Sequence, residues 1–411
     1  MKLFELYCRC YQIVIRLISP FLAWRNPELL EGPGSLLNLP ALLEERGIER
    51  LLIVTDQVIA RLGIMEPFLG GLRERGIEFA LFADTVPNPT IGNIESALSL
   101  YRENGCQAIL AFGGGSPMDC AKGVGARVAR PERKVEEMRG LLKVGRRLPP
   151  LFAVPTTAGT GSEVTVAAVI SNPETHEKYP INDHALIPAL AVLDPELTLG
   201  LPPHITATTG MDALTHAVEA FIGRSNTAGT ERDAVEATRL IMENLERVYR
   251  DGKDLEGRGR LLKAAHLAGR AFTRAYVGNV HAVAHALSGF YGLPHGLANA
   301  VLLPHVLEYY GPAARGRLAL LARRAGLAGE GGGDAEVAAA FIDRVRAMNR
   351  AMGIPERVEC IEAADKPLMA RRAHAEANPL YPVPRILVVR DIEALLDIAS
   401  GAATGDEEAS A

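Results

Sequence analysis

Short apolar runs alternate with stretches of helical periodicity from about residue 28 to residue 200. Such runs, too short for a helix and without polar alternation, are typical of strands that are buried on both faces. Strands that alternate with helices form a mostly parallel sheet with helices on both sides. The predicted strands are Leu51–Thr55, Phe79–Phe82, Ala108–Phe112, Leu151–Val154 and Leu190–Leu193, and the predicted helices are 56–75, 91–104 and 116–129.

The strand pattern ends at Pro202-Pro203, and nearly every window from Thr206 to about Ser400 has helical periodicity. This order predicts an α/β N-terminal domain with a Rossmann-like, mostly parallel sheet, followed by an all-α C-terminal domain. A length of 411 residues also favours two domains. We expect an N-terminal arm at 1–27, the α/β domain at 28–203, the helical domain at 204–400 and a disordered tail at 401–411.

The N-terminal arm contains an apolar segment at 11–24. Arg16 interrupts this segment, Pro20 breaks it, and it is too short to span a bilayer, so we expect no integral membrane segment. We interpret the arm as an amphipathic element that packs on the protein's own surface or on a second subunit. Peripheral contact with a membrane is the alternative. A homodimer or a higher homo-oligomer is the expected assembly.

Composition narrows the class of partner and the compartment. The formal net charge is −5, and the charged residues are spread along the chain, so no nucleic-acid partner is expected. The five cysteines form no CxxC pair. This pattern predicts reduced thiols and a cytoplasmic location rather than a disulfide framework.

Three of the predicted strands are followed by polar, glycine-rich sequence. Gly113-Gly-Gly-Ser116 opens a helix, where backbone amides approach an anion such as a pyrophosphate. Asp56 follows a second strand, where a carboxylate accepts hydrogen bonds from ribose hydroxyls and repels a 2′-phosphate. The segment 155–162 follows a third. Because open sheets bind ligands at the carboxyl ends of their strands, this edge predicts a nucleotide site, with a plain strand-to-helix turn as the alternative.

Four side chains are candidates for a metal site. Asp212 and His216 are spaced i, i+4, which places both on one face of a predicted helix. With His281 and His295 they make one carboxylate and three imidazoles, a set that suits Fe(II) or Zn(II) and is poor for calcium. The alternative is that the histidines are satisfied core residues and that Asp212 caps a helix. We expect the nucleotide and the metal to meet in one cleft.

The motifs around these candidates resemble those of the iron-containing (group III) alcohol dehydrogenases. The resemblance runs from about residue 28 to residue 400, with the motifs in the order of the family, and it is highly specific. The N-terminal arm and the segment 376–384 depart from the better-known members. The motifs are Gly113-Gly-Gly-Ser-Pro-Met-Asp-Cys-Ala-Lys122, Pro155-Thr-Thr-Ala-Gly-Thr-Gly-Ser-Glu163, Gly210-Met-Asp-Ala-Leu-Thr-His-Ala-Val-Glu219 and His281-Ala-Val-Ala-His285 with Pro294-His-Gly-Leu-Ala-Asn299.

The resemblance implies roles for individual residues. The four candidates above match the family's metal ligands, for Fe(II) with Zn(II) as the alternative, and His285 matches a non-ligand histidine between the metal and the nicotinamide. Phe272 matches an aromatic residue that lines the alcohol pocket. The expected cofactor is NAD, with NADP as the alternative. The implied cofactor contacts are Asp56, Asn88, Gly114, Gly115, Ser116, Asp119, Thr156, Thr157, Thr160 and Lys178.

The implied activity is that of a metal-dependent alcohol dehydrogenase or aldehyde reductase, which transfers hydride between a nicotinamide cofactor and a short primary alcohol, diol or aldehyde. Small or apolar neighbours such as Ala282, Ala284 and Leu293 predict a pocket for uncharged substrates. A lyase similar to dehydroquinate synthase is disfavoured, because no Lys or Arg cluster accompanies His281 and His295. A non-catalytic scaffold is disfavoured by the complete ligand set.

Overall fold

The chain divides into two units in this computed structural model, which describes residues 2–22, 24–172, 177–329 and 331–401. The α/β unit comprises Ala23–Leu201 and Gly252–Gly269, and the helical unit comprises Met1–Leu22, Pro202–Asp251 and Arg270–Ala411. The domain limits at residues 27, 203 and 400 remain predictions from the sequence. The predicted disorder of the tail concerns mainly residues 402–411, which lie outside the described residues.

The centre of the α/β unit is a sheet of six parallel strands, as the alternating pattern predicts. Its strands are β1 (Glu28–Glu31), β2 (Arg50–Val54), β3 (Glu78–Phe82), β4 (Ala108–Gly113), β6 (Leu151–Pro155) and β9 (Leu190–Leu193). They lie in the order β1-β9-β6-β4-β2-β3, so that β4 stands between β6 and β2. The five predicted strands are confirmed, and the sheet gains β1 at its edge.

A second, smaller sheet was not predicted from the sequence. It consists of β5 (Gly140–Leu141), β7 (Ala167–Asn172) and β8 (Glu177–Asn182), in the order β5-β8-β7. β7 and β8 pair antiparallel, with Ile170 opposite Tyr179. Polar residues such as Ser171, Asn172 and Lys178 occupy these strands, so they lack the continuous apolar runs that revealed the central sheet.

Helices cover both faces of the central sheet. The predicted helix at 56–75 is two helices, because Gly63 adopts a φ of +71° that ends the first of them. Alternate residues of β2 point to opposite faces: Leu52 and Val54 join one core cluster, and Leu51 and Ile53 join the other. The helices are α2 (Leu39–Glu45), α3 (Gln57–Arg61), α4 (Glu66–Glu74), α5 (Ile91–Glu103) and α6 (Gly115–Ala129).

The described residues of the helical unit contain no strand, which confirms the all-α prediction. α7 packs against α8 and α11, and α10 packs against α11 and α14, so that α7, α10 and α11 stand together. The helices are α1 (Lys2–Ile18), α7 (Pro203–Ile222), α8 (Ala228–Arg250), the end of α9 (Leu255–Ala275), α10 (Asn279–Tyr291), α11 (His295–Tyr310), α12 (Pro312–Arg324), α13 (Asp334–Ala351), α14 (Lys366–Ala377) and α15 (Val389–Ser400).

The N-terminal arm is an amphipathic helix, α1, that packs on the protein's own surface. Arg9 donates hydrogen bonds to the carbonyl oxygens of Val383 and Pro384 at 2.7 and 3.0 Å. Gln12 donates to those of Pro379 and Tyr381 at 3.1 and 2.8 Å. The arm therefore lies against the segment 376–384, the other departure from the family pattern. Among the described residues, no helix is both long and apolar enough to cross a membrane.

Candidate functional site

Three of the candidate metal ligands come together in the helical unit. Asp212 and His216 lie one turn apart on α7, and α10 supplies His281. One ligand atom from each of the three lies within 4.8 Å of the others, and all three residues are buried. Asp212 stands in the middle of α7, as the tenth residue of the helix, so the alternative that it caps a helix is wrong.

The fourth candidate, His295, begins α11 beside this group. Its Nε2 lies 3.6 Å from Oδ1 of Asp212, and Nε2 of His281 lies 3.9 Å from the same oxygen. Ligand atoms that share a tetrahedral ion at bond lengths of about 2.1 Å stand about 3.4 Å apart. The donor types and their spacing therefore fit a divalent ion such as Fe(II) or Zn(II).

Glu219 holds His281 in the orientation that a ligand needs. This carboxylate lies on α7 beyond His216, and its Oε2 accepts from Nδ1 of His281 at 2.6 Å. It also accepts from the backbone amides of Gly278 and Val280, each at 2.8 Å. A proton on Nδ1 leaves the lone pair of Nε2 directed at Asp212, the usual arrangement behind a metal-bound histidine.

The electrostatics of the cluster favour a cation. Burial lowers the pKa of His281, but the hydrogen bond to Glu219 and the charges of Glu219, Asp212 and Glu376 outweigh it, so the pKa of His281 is raised above its ordinary value. Carboxylates thus outnumber the fixed positive charges around this imidazole. A divalent ion at the cluster offsets that excess of negative charge.

Asn299 stands among the candidate ligands. Its Nδ2 donates to Oδ1 of Asp212 at 2.7 Å and lies 3.2 and 3.1 Å from Nε2 of His281 and His295. Asn299 follows His295 by one turn of α11 and is fully buried. Both imidazole nitrogens therefore face one point, which Asn299 and Asp212 border.

His285 belongs to a second hydrogen-bonded group at the edge of the cluster. Its Nδ1 lies 2.6 Å from Oε1 of Glu376, and the hydroxyl of Tyr381 donates to the same oxygen at 2.9 Å. The ring of His285 stacks on that of His295, with centroids 4.9 Å apart. Burial, followed by the charge and hydrogen bond of Glu376, raises the pKa of Tyr381 well above its ordinary value. Tyr381 is therefore a fixed donor at neutral pH.

Phe272 also lies at the cluster, and its ring stacks on His216 at a centroid distance of 4.1 Å. The expectation that Ala282 and Ala284 line an apolar pocket stays a prediction. Both side chains, like Val283 between them, are fully buried in the core on the inner faces of α10. Ala284 follows His281 at i+3 and Ala282 precedes His285 at i+3, so both alanines stand next to a histidine on α10.

The carboxyl ends of three neighbouring strands form one edge of the α/β unit. Gly113 ends β4 opposite Pro155, which ends β6, and β2 ends on the other side of β4. The glycines after β4 allow close approach: a Cβ at Gly115 would lie 2.9 Å from Cγ2 of Thr160, and a Cβ at Gly114 would lie 3.4 Å from Oγ1 of Thr157. This edge therefore exposes the start of α6 beside two threonine hydroxyls.

Three further cofactor candidates are joined by hydrogen bonds at this edge. The backbone amide of Asn88 donates to Oγ of Ser116 at 3.2 Å, and Nζ of Lys178 donates to Oδ1 of Asn88 at 2.8 Å. Asn88 has a φ of 57°, the left-handed region that asparagine tolerates better than most residues. The structure thus brings Lys178, far away in the sequence, to the start of α6.

Asp56 and Asp119 accept hydrogen bonds from groups of the protein itself, and Thr156 is buried. Oδ1 of Asp56 caps α3 by accepting from the amides of Val58 and Ile59, both at 2.9 Å. The two oxygens of Asp119 accept from Oγ of Ser162 and from the amide of Val169. The Thr156 side chain is buried at the end of β6. Asp119 therefore connects α6 to Ser162 and to strand β7.

Sequence reasoning gave no role to Glu219, Asn299, Glu376 or Tyr381. For the first two a signal was available, because Glu219 is spaced i+3 from His216 and Asn299 is spaced i+4 from His295. Glu376 is separated from His285 by 91 residues, so no local spacing indicates their contact.

Comparisons with known proteins agree along nearly the whole chain. The family model described as "Iron-containing alcohol dehydrogenase" matches residues 26–195, and that described as "Fe-containing alcohol dehydrogenase family, C-terminal" matches residues 206–400. A 1,3-propanediol dehydrogenase of Klebsiella pneumoniae is 39% identical over 351 residues, 84% of this chain and 90% of the relative. An NAD-dependent methanol dehydrogenase of Bacillus methanolicus is 32% identical over 90% of this chain and 97% of the relative. A crystal structure of a 1,3-propanediol oxidoreductase superposes with a TM-score of 0.88 at 36% identity, over 92% of this chain and 99% of the other.

Proposed function

Since this chain belongs to the iron-containing alcohol dehydrogenase family, we propose how its residues divide the work of the reaction. The chain is a metal-dependent oxidoreductase of short alcohols, diols and aldehydes, with a nicotinamide cofactor. One observation carries this function: a buried carboxylate and three imidazoles, supported by Glu219 and Asn299, gather in the helical unit.

Asp212, His216, His281 and His295 are the proposed metal ligands. Fe(II) is the ion we expect, and Zn(II) is the alternative, because geometry and availability rather than affinity select between them. When bound, the ion supplies Lewis acidity that polarises the oxygen of an alcohol or a carbonyl group. Glu219 fixes the tautomer of His281, and Asn299 holds the carboxylate of Asp212 in place.

His285 is the proposed proton relay. A proton on its Nδ1 is donated to Glu376, a tautomer assigned from the 2.6 Å contact, so Nε2 is the atom that takes up or releases a proton. An imidazole can both accept and donate a proton, as a relay for an alcohol hydroxyl requires. Tyr381 donates to the same carboxylate and holds it against His285.

The proposed cofactor is NAD rather than NADP. The nicotinamide supplies the hydride chemistry itself, and this chain supplies its binding and orientation. The start of α6 at Gly114, Gly115 and Ser116 presents backbone amides to the pyrophosphate, and Thr156, Thr157 and Thr160 follow the neighbouring strand. The other proposed contacts are Asn88, Asp119 and Lys178.

Asp56 is the proposed determinant of cofactor choice. Oδ1 caps α3, which leaves Oδ2 to accept from a ribose hydroxyl, and the negative charge repels a 2′-phosphate. A relative that shares 32% of its residues is named as NAD-dependent.

The proposed substrates are short, uncharged primary alcohols, diols and aldehydes, with faster aldehyde reduction than alcohol oxidation at neutral pH. The names of the two relatives, which act on 1,3-propanediol and methanol, support this class. Phe272 offers an apolar ring beside His216. We expect a homo-oligomeric, cytoplasmic enzyme.

The test is the oxidation of NADH by the iron-loaded protein with a panel of substrates. Butanal, propanal, hydroxy acids and sugar phosphates are compared at equal concentration by the loss of NADH absorbance. We expect the two aldehydes to be reduced faster than the hydroxy acids and the sugar phosphates. The order of the two aldehydes is not predicted, since one methylene changes discrimination by only ~1 to 3 kcal/mol. Faster turnover of a charged substrate than of butanal, or no turnover of any aldehyde, contradicts the proposed function.

A further inference from the structure

Helix α1 turns an apolar face to solvent. Residues 3, 6, 13, 14, 17 and 18 recur at helical spacing and lie on one side of the helix. Their exposed fractions range from 48% at Ile18 to 81% at Leu3, and Phe21 just after the helix is 88% exposed. The exposed residues of this face are Leu3, Leu6, Ile13, Val14, Leu17 and Ile18. Contiguous exposed apolar surface on this scale marks an interaction site.

The polar face of the same helix points inward. Arg9 and Gln12 donate to four backbone carbonyls of the segment 379–384, so the orientation of α1 is fixed by specific bonds. The reverse arrangement, with the apolar side inward, is the usual one for a surface helix. α1 also precedes residue 26, where the family match begins, so the catalytic architecture does not account for its outward face.

A cavity of about 470 Å³ lined by three arginines lies at the C-terminal end of this helix. Arg16 on α1, Arg224 after α7 and Arg317 on α12 contribute to its wall, together with Asn226. Arg317 is paired with Glu231 at 2.8 Å. Arg16 and Arg224 are exposed and have no ion pair with any described residue. We call this group the arginine pocket, and it suits an anion with several acceptor oxygens.

The charge balance of the N-terminal arm matches that pocket. The first 22 residues contain Lys2, Arg9 and Arg16 against Glu5, a net charge of +2, while the whole chain has −5. Burial, and after it the guanidinium of Arg224, lowers the pKa of Arg9, as expected where positive charge is concentrated. An apolar helix face beside unpaired arginines is typical of elements that lie in the interface of an anionic membrane.

We propose that α1 and the arginine pocket bind the surface of an anionic phospholipid bilayer. The side chains around Ile13 and Leu17 enter the acyl region, and Arg16 and Arg224 bind headgroup phosphates. A second copy of this chain is the less suitable occupant, because a twofold pairing of these faces brings together two positive arms and supplies no anion to either pocket. This interaction goes beyond the proposed reaction and does not depend on it.

Co-sedimentation with vesicles tests the proposal on the full chain. The vesicles contain phosphatidylcholine alone or mixed with phosphatidylglycerol. We expect the unaltered protein to bind the mixed vesicles, and Leu17→Glu to reduce the affinity at least ~10-fold, because a charge replaces an inserted leucine. The double change Arg16→Glu with Arg224→Glu should abolish the preference for phosphatidylglycerol. Val58→Glu, at an exposed apolar residue of the α/β unit, is the matched control and should bind normally.

Fluorescence of a probe on the outward face gives a second test that does not depend on a destabilised variant. Cys10 and Cys360 are exposed, whereas Cys8, Cys106 and Cys120 are buried, so a polarity-sensitive label reacts at Cys10 in the Cys360→Ser variant. We expect a blue shift with mixed vesicles and none with phosphatidylcholine alone. No sedimentation and no shift overturns the proposal. The proposal is also overturned if the blue shift depends on protein concentration in the absence of lipid and Leu17→Glu dissociates the oligomer. That result would identify a second copy of the chain as the occupant of this face.

Discussion

The metal cluster of the helical unit is built from buried ionisable side chains, whereas the nucleotide edge of the α/β unit combines backbone amides and hydroxyls with a few charged side chains. Asp212, His281 and Glu219 are each no more than 3% exposed. At the edge, Gly114 and Ser116 lie at a helix start and remain partly exposed. The first region concentrates charge in a dry environment, and the second distributes many weak donors at a surface.

This difference predicts different responses to substitution. A buried charged group is stabilised by its partners, so the loss of one partner leaves the others unpaired in the interior. The cost in free energy is several times that of losing a hydrogen bond at the surface. A set of backbone donors has no single member that carries most of the binding energy, because each neutral hydrogen bond contributes only about 1 kcal/mol. Substitutions in the cluster should therefore act nearly all-or-none, and those at the edge should act by degrees.

The largest effect is expected for Asp212→Asn. The change keeps the size of the side chain but removes the one anionic ligand of the proposed set, so metal retention and kcat should fall by more than about 100-fold. Steady-state reduction of butanal after loading with Fe(II) measures this loss. Asp343→Asn, at an exposed residue of α13 in the same unit, is the control and should keep normal activity. Equal activity of the two variants would remove the charge argument.

A smaller effect is expected for Glu219→Gln. The one oxygen of glutamine can still accept from Gly278 and from Nδ1 of His281, but its NH2 group cannot accept from Val280 and the negative charge is lost, so metal affinity should fall about 10- to 100-fold. Competition with a chelator measures the affinity. Glu243→Gln on the exposed side of α8 is the control. If Glu219→Gln binds metal as tightly as the unaltered protein, the carboxylate does not orient the ligand.

The two regions also differ in how far the sequence could predict them. Asp212 and His216 were found because one helix fixes their spacing, and the same reasoning extends to Glu219 and Asn299. The contact of Glu376 with His285 could not be predicted from the sequence, since only the packing of α14 on α10 brings the two residues together. At the nucleotide edge, Gly114 and Ser116 could be found because they follow strand β4, which is a continuous apolar run in the sequence. The hydrogen bond from Lys178 to Asn88 could not be predicted, because Lys178 lies on strand β8, whose polar residues give no apolar run in the sequence.

Cofactor choice should change moderately in Asp56→Ser. Serine keeps an N-cap oxygen for α3 but removes the charge, so the preference of kcat/KM for NADH over NADPH should relax about 10-fold, or ~1.4 kcal/mol. The matched control is Asp84→Ser, which removes an exposed charge after the neighbouring strand β3. Comparable use of NADH and NADPH by the unaltered protein would refute the role of Asp56.

The smallest effect is expected for Ser116→Ala. Its hydroxyl accepts one hydrogen bond, from the amide of Asn88, so the KM for NADH should rise by no more than about fivefold, the equivalent of ~1 kcal/mol. Ser99→Ala on α5 removes a hydroxyl bonded to its own helix and should leave the KM unchanged. A 100-fold rise in the KM of Ser116→Ala would mean that the binding energy at the nucleotide edge depends on single groups, as it does in the metal cluster.

The outer parts of the fold show a second limit of the sequence. The amphipathic character of α1 was evident, but periodicity does not say which face meets the protein, and here the polar face does. The helix predicted at 56–75 was divided at Gly63, where a positive φ overrides the helical pattern on either side. In both cases tertiary bonds or backbone conformation decide what local periodicity leaves open.

Metal content per chain tests the central claim most directly. The unaltered protein, His216→Ala and His204→Ala are loaded with Fe(II), freed of unbound metal and analysed by mass spectrometry. His204 is an exposed histidine on the same helix as His216, so both variants lose an imidazole from α7. We predict one ion per chain in the unaltered protein and in His204→Ala, and a small fraction of that in His216→Ala. A full equivalent of tightly bound metal in His216→Ala would contradict it.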